Sequence, residues 1–257
     1  MADVELIENL PFTTRRTIGS KARIGLVVLA SDYTIEHEFR DVLRLTDEPG
    51  IALYQSRIAN APSITPETLA AMGPTVTETA ERLLPGDDLD VLAYGCTSAS
   101  FVLGPGEVNT MLRAAKPAAA TTNPASGTFA ALKAFGAKRI AVLTPYRSDV
   151  NAYVRRGLLN ADFEVPIFGS FNEEMDPVVA DIDAESLTGA LRLLTGKHKV
   201  DAAFVSCTSI RTIDAVAALE DELGIPVTSS NHAITWHCLR LAGYEGKPDG
   251  LGRLFKL

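Results

Sequence analysis

Asp90–Phe101 (DVLAYGCTSASF) and Asp201–Thr212 (DAAFVSCTSIRT) decide how this chain is read. Each is an aspartate, a short apolar run, and then Cys-Thr-Ser. An apolar run closed by small polar residues is the pattern of a buried strand that feeds a loop or a helix N-terminus. Cys96 and Cys207 hold the same place in the two copies, 111 residues apart. The repetition sets one thiol at each strand end, and the two halves of the chain are expected to bring them face to face.

Other landmarks recur at nearly the same offset. Arg23-Ile24 is matched by Arg139-Ile140, 116 residues on, and Asn123 by Asn231, 108 residues on. Three landmarks argue for a duplicated unit; the plainer alternative is two βαβ units that share turn chemistry. Arg23–Ala30 (RIGLVVLA) and Arg139–Leu143 (RIAVL) are continuous apolar runs, as in strands covered on both faces. Helical stretches lie between the runs. Thr65–Leu84 is predicted as one helix with Leu69, Met72, Val76, Ala80 and Leu83 on one face. The alternation predicts an α/β fold of two pseudo-symmetric lobes, each a parallel sheet flanked by helices, from an internal duplication. The expected first lobe is residues 1–115 plus 225–257 and the second 116–224, with the active site between them.

Composition removes several classes. Net charge is −8 with no basic block, so no nucleic-acid partner is expected. No apolar stretch reaches the roughly 18 residues of a membrane span. The first residues carry acids and lack the apolar core of a signal peptide. Three cysteines, an odd and small number, fit reduced thiols and a cytoplasmic location rather than a disulfide framework. His37, His198, His232 and His237 lack metal-ligand spacing, and no P-loop, strand-linked GxGxxG or GxSxG occurs. No metal or cofactor is expected. A homo-oligomer is.

In open parallel sheets, ligands sit beyond the carboxyl ends of the strands. Those ends carry Ser31-Asp32, Cys96-Thr97-Ser98 and Thr122-Asn123 in the first half. In the second they carry Thr144 to Tyr146, Cys207-Thr208-Ser209 and Ser229 to Asn231, with Asn172 on a further loop. A thiol before a helix N-terminus is expected to have a lowered pKa. The Thr and Ser after each cysteine offer donors to a substrate carboxylate. A free cysteine is also a common buried apolar residue, and Cys238, which has no repeat mate, is read that way. Two opposed thiols suit a paired reaction in which one removes a proton or attacks an alkene carbon and the other delivers a proton from the far side. Fixed donors would hold the charge that develops.

Seven stretches carry a family resemblance: RIGLVVLASDYTIEHEF from 23, AYGCTSASF from 93, TTNPASGTFAALKAFG from 121, RIAVLTPY from 139, FGSFN from 168, SCTSIRT from 206 and SSNHAITWHCLRLAG from 229. Together they resemble the aspartate/glutamate racemase superfamily, in its branch of maleate cis-trans isomerases, arylmalonate decarboxylases and ectoine-utilisation proteins. The resemblance implies a cofactor-independent two-cysteine isomerase of a small carboxylate. It gives Cys96 the addition to the alkene and Cys207 the role of proton donor, with Tyr146 and Asn172 binding the substrate carboxylate. Arylmalonate decarboxylases keep only the second-half cysteine, so Cys96 sets this chain apart from them. Maleate isomerases usually have asparagine where this chain has Asp32, and an ionised aspartate repels a carboxylate. Asp32 is therefore read as an acceptor of a substrate ammonium, as a base for Cys96, or as a helix cap. Two other readings stay open: an Asp/Glu-type racemase or epimerase of an amino acid or ectoine-pathway derivative, and a catalytically inactive ligand-binding relative.

Overall fold

The computed structural model describes residues 5–257. The chain runs β1 (Ala22–Leu29), α1 (Ile35–Leu45), β2 (Ile51–Ile58), α2 (Pro66–Ala70), α3 (Val76–Glu81), β3 (Val91–Gly95), α4 (Thr97–Leu103), α5 (Pro105–Ala115), β4 (Ala120–Thr122) and α6 (Pro124–Ala134). It continues with β5 (Arg139–Thr144), α7 (Ser148–Asn160), β6 (Glu164–Ser170), α8 (Asp176–Ala180), α9 (Ala184–Lys197), β7 (Ala202–Val205), α10 (Ile213–Leu223), β8 (Val227–Ser229) and α11 (Ser230–Leu241). The first sheet has the order β2-β1-β3-β4 and the second β6-β5-β7-β8. Every pairing within them is parallel. The expected α/β fold of two matching parallel sheets flanked by helices is the one the chain forms.

The repeated aspartates explain part of the match. Asp90 Oδ2 accepts the Arg23 N–H at 2.7 Å, and Asp201 Oδ2 accepts the Arg139 N–H at 2.8 Å. Each therefore fixes the start of the neighbouring central strand. Those central strands are buried almost throughout, whereas the outer strands β2 and β6 are largely half-exposed. That contrast is why β1 and β5 read as unbroken apolar runs.

Two expectations about boundaries change. β4 pairs with β3, so residues 120–122 belong to the first sheet, and β8 pairs with β7, so 227–229 belong to the second. With three residues each, these strands are too short for sequence periodicity to assign them a sheet. Helix α11 then leaves the second sheet and packs on the first with Ile24, Leu26, Phe39, Leu254 and Phe255. The stretch 65–84 is also not one helix. A 3-10 turn at Gly73–Thr75 separates α2 from α3, because Pro74 has no N–H for the helical ladder. Its five apolar residues are buried all the same.

Helices α6 and α11 approach closely at Gly127. A Cβ there would lie 3.0 Å from the Cα of Ile234. A second apolar cluster joins Leu92 and Tyr94 of the first lobe to Val142 and Phe204 of the second, so the lobes share a core.

Candidate active site

Cys96 leaves β3 in an extended conformation and is the N-cap residue of α4. Its carbonyl accepts the Ser100 hydroxyl at 2.6 Å, and its sulfur lies 3.7 Å from the Ser98 hydroxyl. Cys207 follows β7 differently. Its φ is +136°, and α10 begins only at Ile213. A non-glycine residue in that region carries about 1–3 kcal/mol of strain, and such residues concentrate at functional sites. Its N–H donates to the Ser230 hydroxyl at 3.0 Å, which helps hold the bend. The expectation that both thiols precede a helix thus holds for Cys96 and not for Cys207.

The two thiols line one cavity with Thr97, Ser98, Tyr146, Thr208 and Ser209. Leu29, Ile64, Leu69 and Met72 supply its apolar wall. Strand ends from both sheets thus meet at one place. The free volume is about 20 Å³, which is room for about one water. The walls are laced by two loops, one from each lobe: Ile64 N–H donates to the Glu174 carbonyl at 2.9 Å and Asp176 N–H to the Pro62 carbonyl at 3.2 Å.

Burial decides the protonation of the thiols. It pushes Cys96 up to about 12 against the pull of the Ala99 N–H and the Ser98 hydroxyl. It pushes Cys207 up to about 12 as well, reinforced by the charge of Asp176. The lowered thiol pKa expected from helix N-termini is overturned: desolvation outweighs the donors. Tyr146 is also raised, by burial first, and stays a protonated donor. Its hydroxyl and that of Thr97 are buried without a hydrogen-bond partner among the described residues.

Asp32 is buried but does not line the cavity. Its Oδ1 accepts the N–H groups of Thr34 and Ile35 at 2.7 and 2.8 Å, so it caps the start of α1. Its Oδ2 has no partner among the described residues. Burial raises this carboxyl to about 6, against those two donors. Asn172 falls outside the site: it is exposed on the β6–α8 loop with φ of +58° and does not line the cavity. Asp176, four residues on, lies in the wall instead, and no motif in the sequence singles it out. Its carboxylate accepts the Ser31 and Ser209 hydroxyls, both at 2.5 Å. Asn60 also joins the wall and donates to the Ser31 hydroxyl at 2.8 Å. Only the Asp-Pro pair that opens α8 could have pointed to Asp176, and it reads as an ordinary helix start. Cys238 is on the buried face of α11 and lies in the core. Among the described residues, no cluster of His, Cys, Asp or Glu is placed to hold a metal ion, and no helix is long and apolar enough to cross a membrane.

Residues 54–255 match the family model of the arylmalonate decarboxylases. The chain belongs to the arylmalonate decarboxylase family. Within it, the chain is 31% identical to an arylmalonate decarboxylase of Bordetella bronchiseptica over 198 residues, which is 75% of this chain and 82% of that one. It is 29% identical to a maleate isomerase of Nocardia farcinica over 246 residues, 91% of this chain and 95% of that one. A solved structure of a cysteine-to-serine variant of the Nocardia farcinica maleate cis-trans isomerase, with a covalently bound succinylcysteine intermediate, superposes with a TM-score of 0.82 at 26% identity. It covers 91% of this chain and 98% of that one. The resemblance to the aspartate/glutamate racemase superfamily, in its branch of maleate isomerases and arylmalonate decarboxylases, is therefore borne out. The chain is an enzyme of that group, with the isomerase-like or decarboxylase chemistry found among its relatives.

Proposed function

We propose that the chain is a cofactor-independent isomerase of a small carboxylate that works through Cys96 and Cys207. One observation carries this reading: two thiols, one from each lobe, line the same cavity. A family member with a single-thiol decarboxylation would need no Cys96. The covalent succinylcysteine in the maleate isomerase relative supports thiol addition as the chemistry.

In this reading the Cys96 sulfur adds to one alkene carbon. The electron pair of the double bond moves to the carbon beside the carboxylate, and Cys207 protonates that carbon. Rotation about the new single bond follows. Cys207 then takes the proton back, the thiolate leaves, and the trans alkene forms with no net redox change. In this reading the Thr97 and Tyr146 hydroxyls, which have no partner among the described residues, hold the substrate carboxylate as charge develops on it. Both thiols begin protonated, so Cys96 adds as a thiolate only once bound substrate changes the field at its sulfur; its proton passes to water as it adds and returns when the sulfur leaves.

Turnover of a panel of maleate, aspartate, glutamate and diaminobutyrate derivatives, followed by NMR in deuterated water without added cofactor, tests this. Conversion of a cis alkene, or deuterium at an α-carbon, supports thiol-pair isomerisation. Carbon dioxide release with no isomerised product overturns it in favour of decarboxylation.

A further inference from the structure

The cavity wall has an unusual charge balance for a carboxylate site. No lysine, arginine or histidine lines it among the described residues, whereas Asp176 does. Asp32 stands close behind: its charge and that of Asp176 both act on Cys96, and the two carboxylates act on each other. Both side chains are buried. The guanidinium of Arg57, which packs against this loop, gives no relief. It donates to the main-chain carbonyls of Ala30 and Asp32, at 3.0 and 3.1 Å, and to the Glu36 carboxylate at 2.9 Å. Asp32 Oδ2 therefore stays buried with no donor among the described residues. Asp176 has its Ser31 and Ser209 donors, but a carboxylate can accept about four hydrogen bonds.

A dicarboxylate entering this cavity would add charge to two acids with no cation to offset it. A buried uncompensated charge is costly, and a partner of opposite sign removes that cost. We propose that the substrate carries an ammonium group beside its carboxylate, and that Asp176 holds this ammonium, with the buried carboxylate of Asp32 behind it. The carboxylate then falls to the uncharged donors of Thr97 and Tyr146, which a neutral hydroxyl pair can satisfy without a further cation. Such a ligand also supplies what the thiols lack. The charge of Asp176 helps to keep Cys96 and Cys207 protonated, and an ammonium beside it cancels that influence. Substrate binding and nucleophile activation are in this way the same event.

This inference rests on the two-thiol reading, so its test is made independent of turnover. Calorimetry on the full chain bearing both Cys96→Ser and Cys207→Ser compares matched acids that differ by one amine: succinate with aspartate, glutarate with glutamate, and butyrate with 2-aminobutyrate, in both enantiomers. At least one amine-bearing acid is expected to bind about tenfold or more tighter than its plain mate, the ratio equivalent to one well-made contact. Asp176→Asn, which keeps the shape and one acceptor oxygen but removes the charge, should bring the ratio close to one, and Asp32→Asn, which removes the charge behind it, should lower the ratio. Equal or tighter binding of every plain acid overturns the proposal, as does a ratio that neither variant changes, or no detectable binding of any amine-bearing acid. A normal ratio in a chain whose single thiol variants stay active would instead overturn the catalytic reading and leave this one standing.

Discussion

Glu38 of α1 accepts the backbone N–H groups of Thr212 and Ile213, at 2.6 and 2.7 Å, across the boundary between the lobes. Its other oxygen accepts Asn231 Nδ2 at 2.7 Å, and the same Nδ2 donates to the carbonyl of Thr208 at 2.7 Å. A carboxylate at the start of α10 is electrostatically favoured there. A first-lobe side chain thereby holds the turn that follows Cys207, although it does not line the cavity.

Burial raises Glu38 from 4.5 to about 7. A carboxyl raised in the fold makes stability fall as pH rises from its unfolded to its folded value. Between about 4.5 and 7, wild type should therefore lose stability relative to Glu38→Gln, by up to about 3 kcal/mol, and the difference should be flat above 7. Denaturant titrations of both proteins across this range check it. A pH-independent difference contradicts the assignment.

The two thiols, held near 12, should be almost fully protonated at neutral pH. Without substrate, alkylation by iodoacetamide at pH 7.5 should be at least about 100-fold slower than for an exposed cysteine. Its rate should keep climbing beyond pH 9. Mass spectrometry resolves the sites, and rapid neutral labelling of either thiol contradicts the burial argument.

Strain at Cys207 predicts a trade of stability against activity. Glycine tolerates φ of +136°, whereas serine keeps the strain. Cys207→Gly should be about 1 kcal/mol or more stable than Cys207→Ser, with both inactive. Thermal melts give the comparison. A glycine variant less stable than the serine variant shows that the strain is absent.

Gly127→Ala should separate α6 from α11, since the new methyl meets backbone that cannot move aside. A loss of about 1–3 kcal/mol is expected, the usual cost of overpacking. Gly106→Ala, at an open position on α5, is the control and should be neutral or slightly stabilising. Equal melting temperatures for the two variants contradict the close approach.

The repeated aspartate, apolar run and Cys-Thr-Ser carried much of the fold, because Asp90 and Asp201 do the same work at equivalent strand starts. They also placed both thiols at strand ends. The third landmark misled. The helix-capping counterpart of Asn123 is Ser229, which accepts the His232 N–H at 3.2 Å, while Asn231 serves Glu38 and Thr208. Asn172 and Asp176 traded places because a loop's side-chain directions are set by tertiary contacts, here the pairing of Ser63 with Met175. Thiol protonation was illegible for a related reason. A local motif shows the nearby donors and not the depth of burial.

The most direct test of the thiol pair is the turnover of Cys96→Ser and Cys207→Ser, each measured on whichever small carboxylate the wild type converts. Each variant should fall at least about 100-fold, since each removes one of two obligatory proton or addition steps. Either single variant working within about tenfold of wild type, well above that expected loss, would contradict a mechanism that needs both.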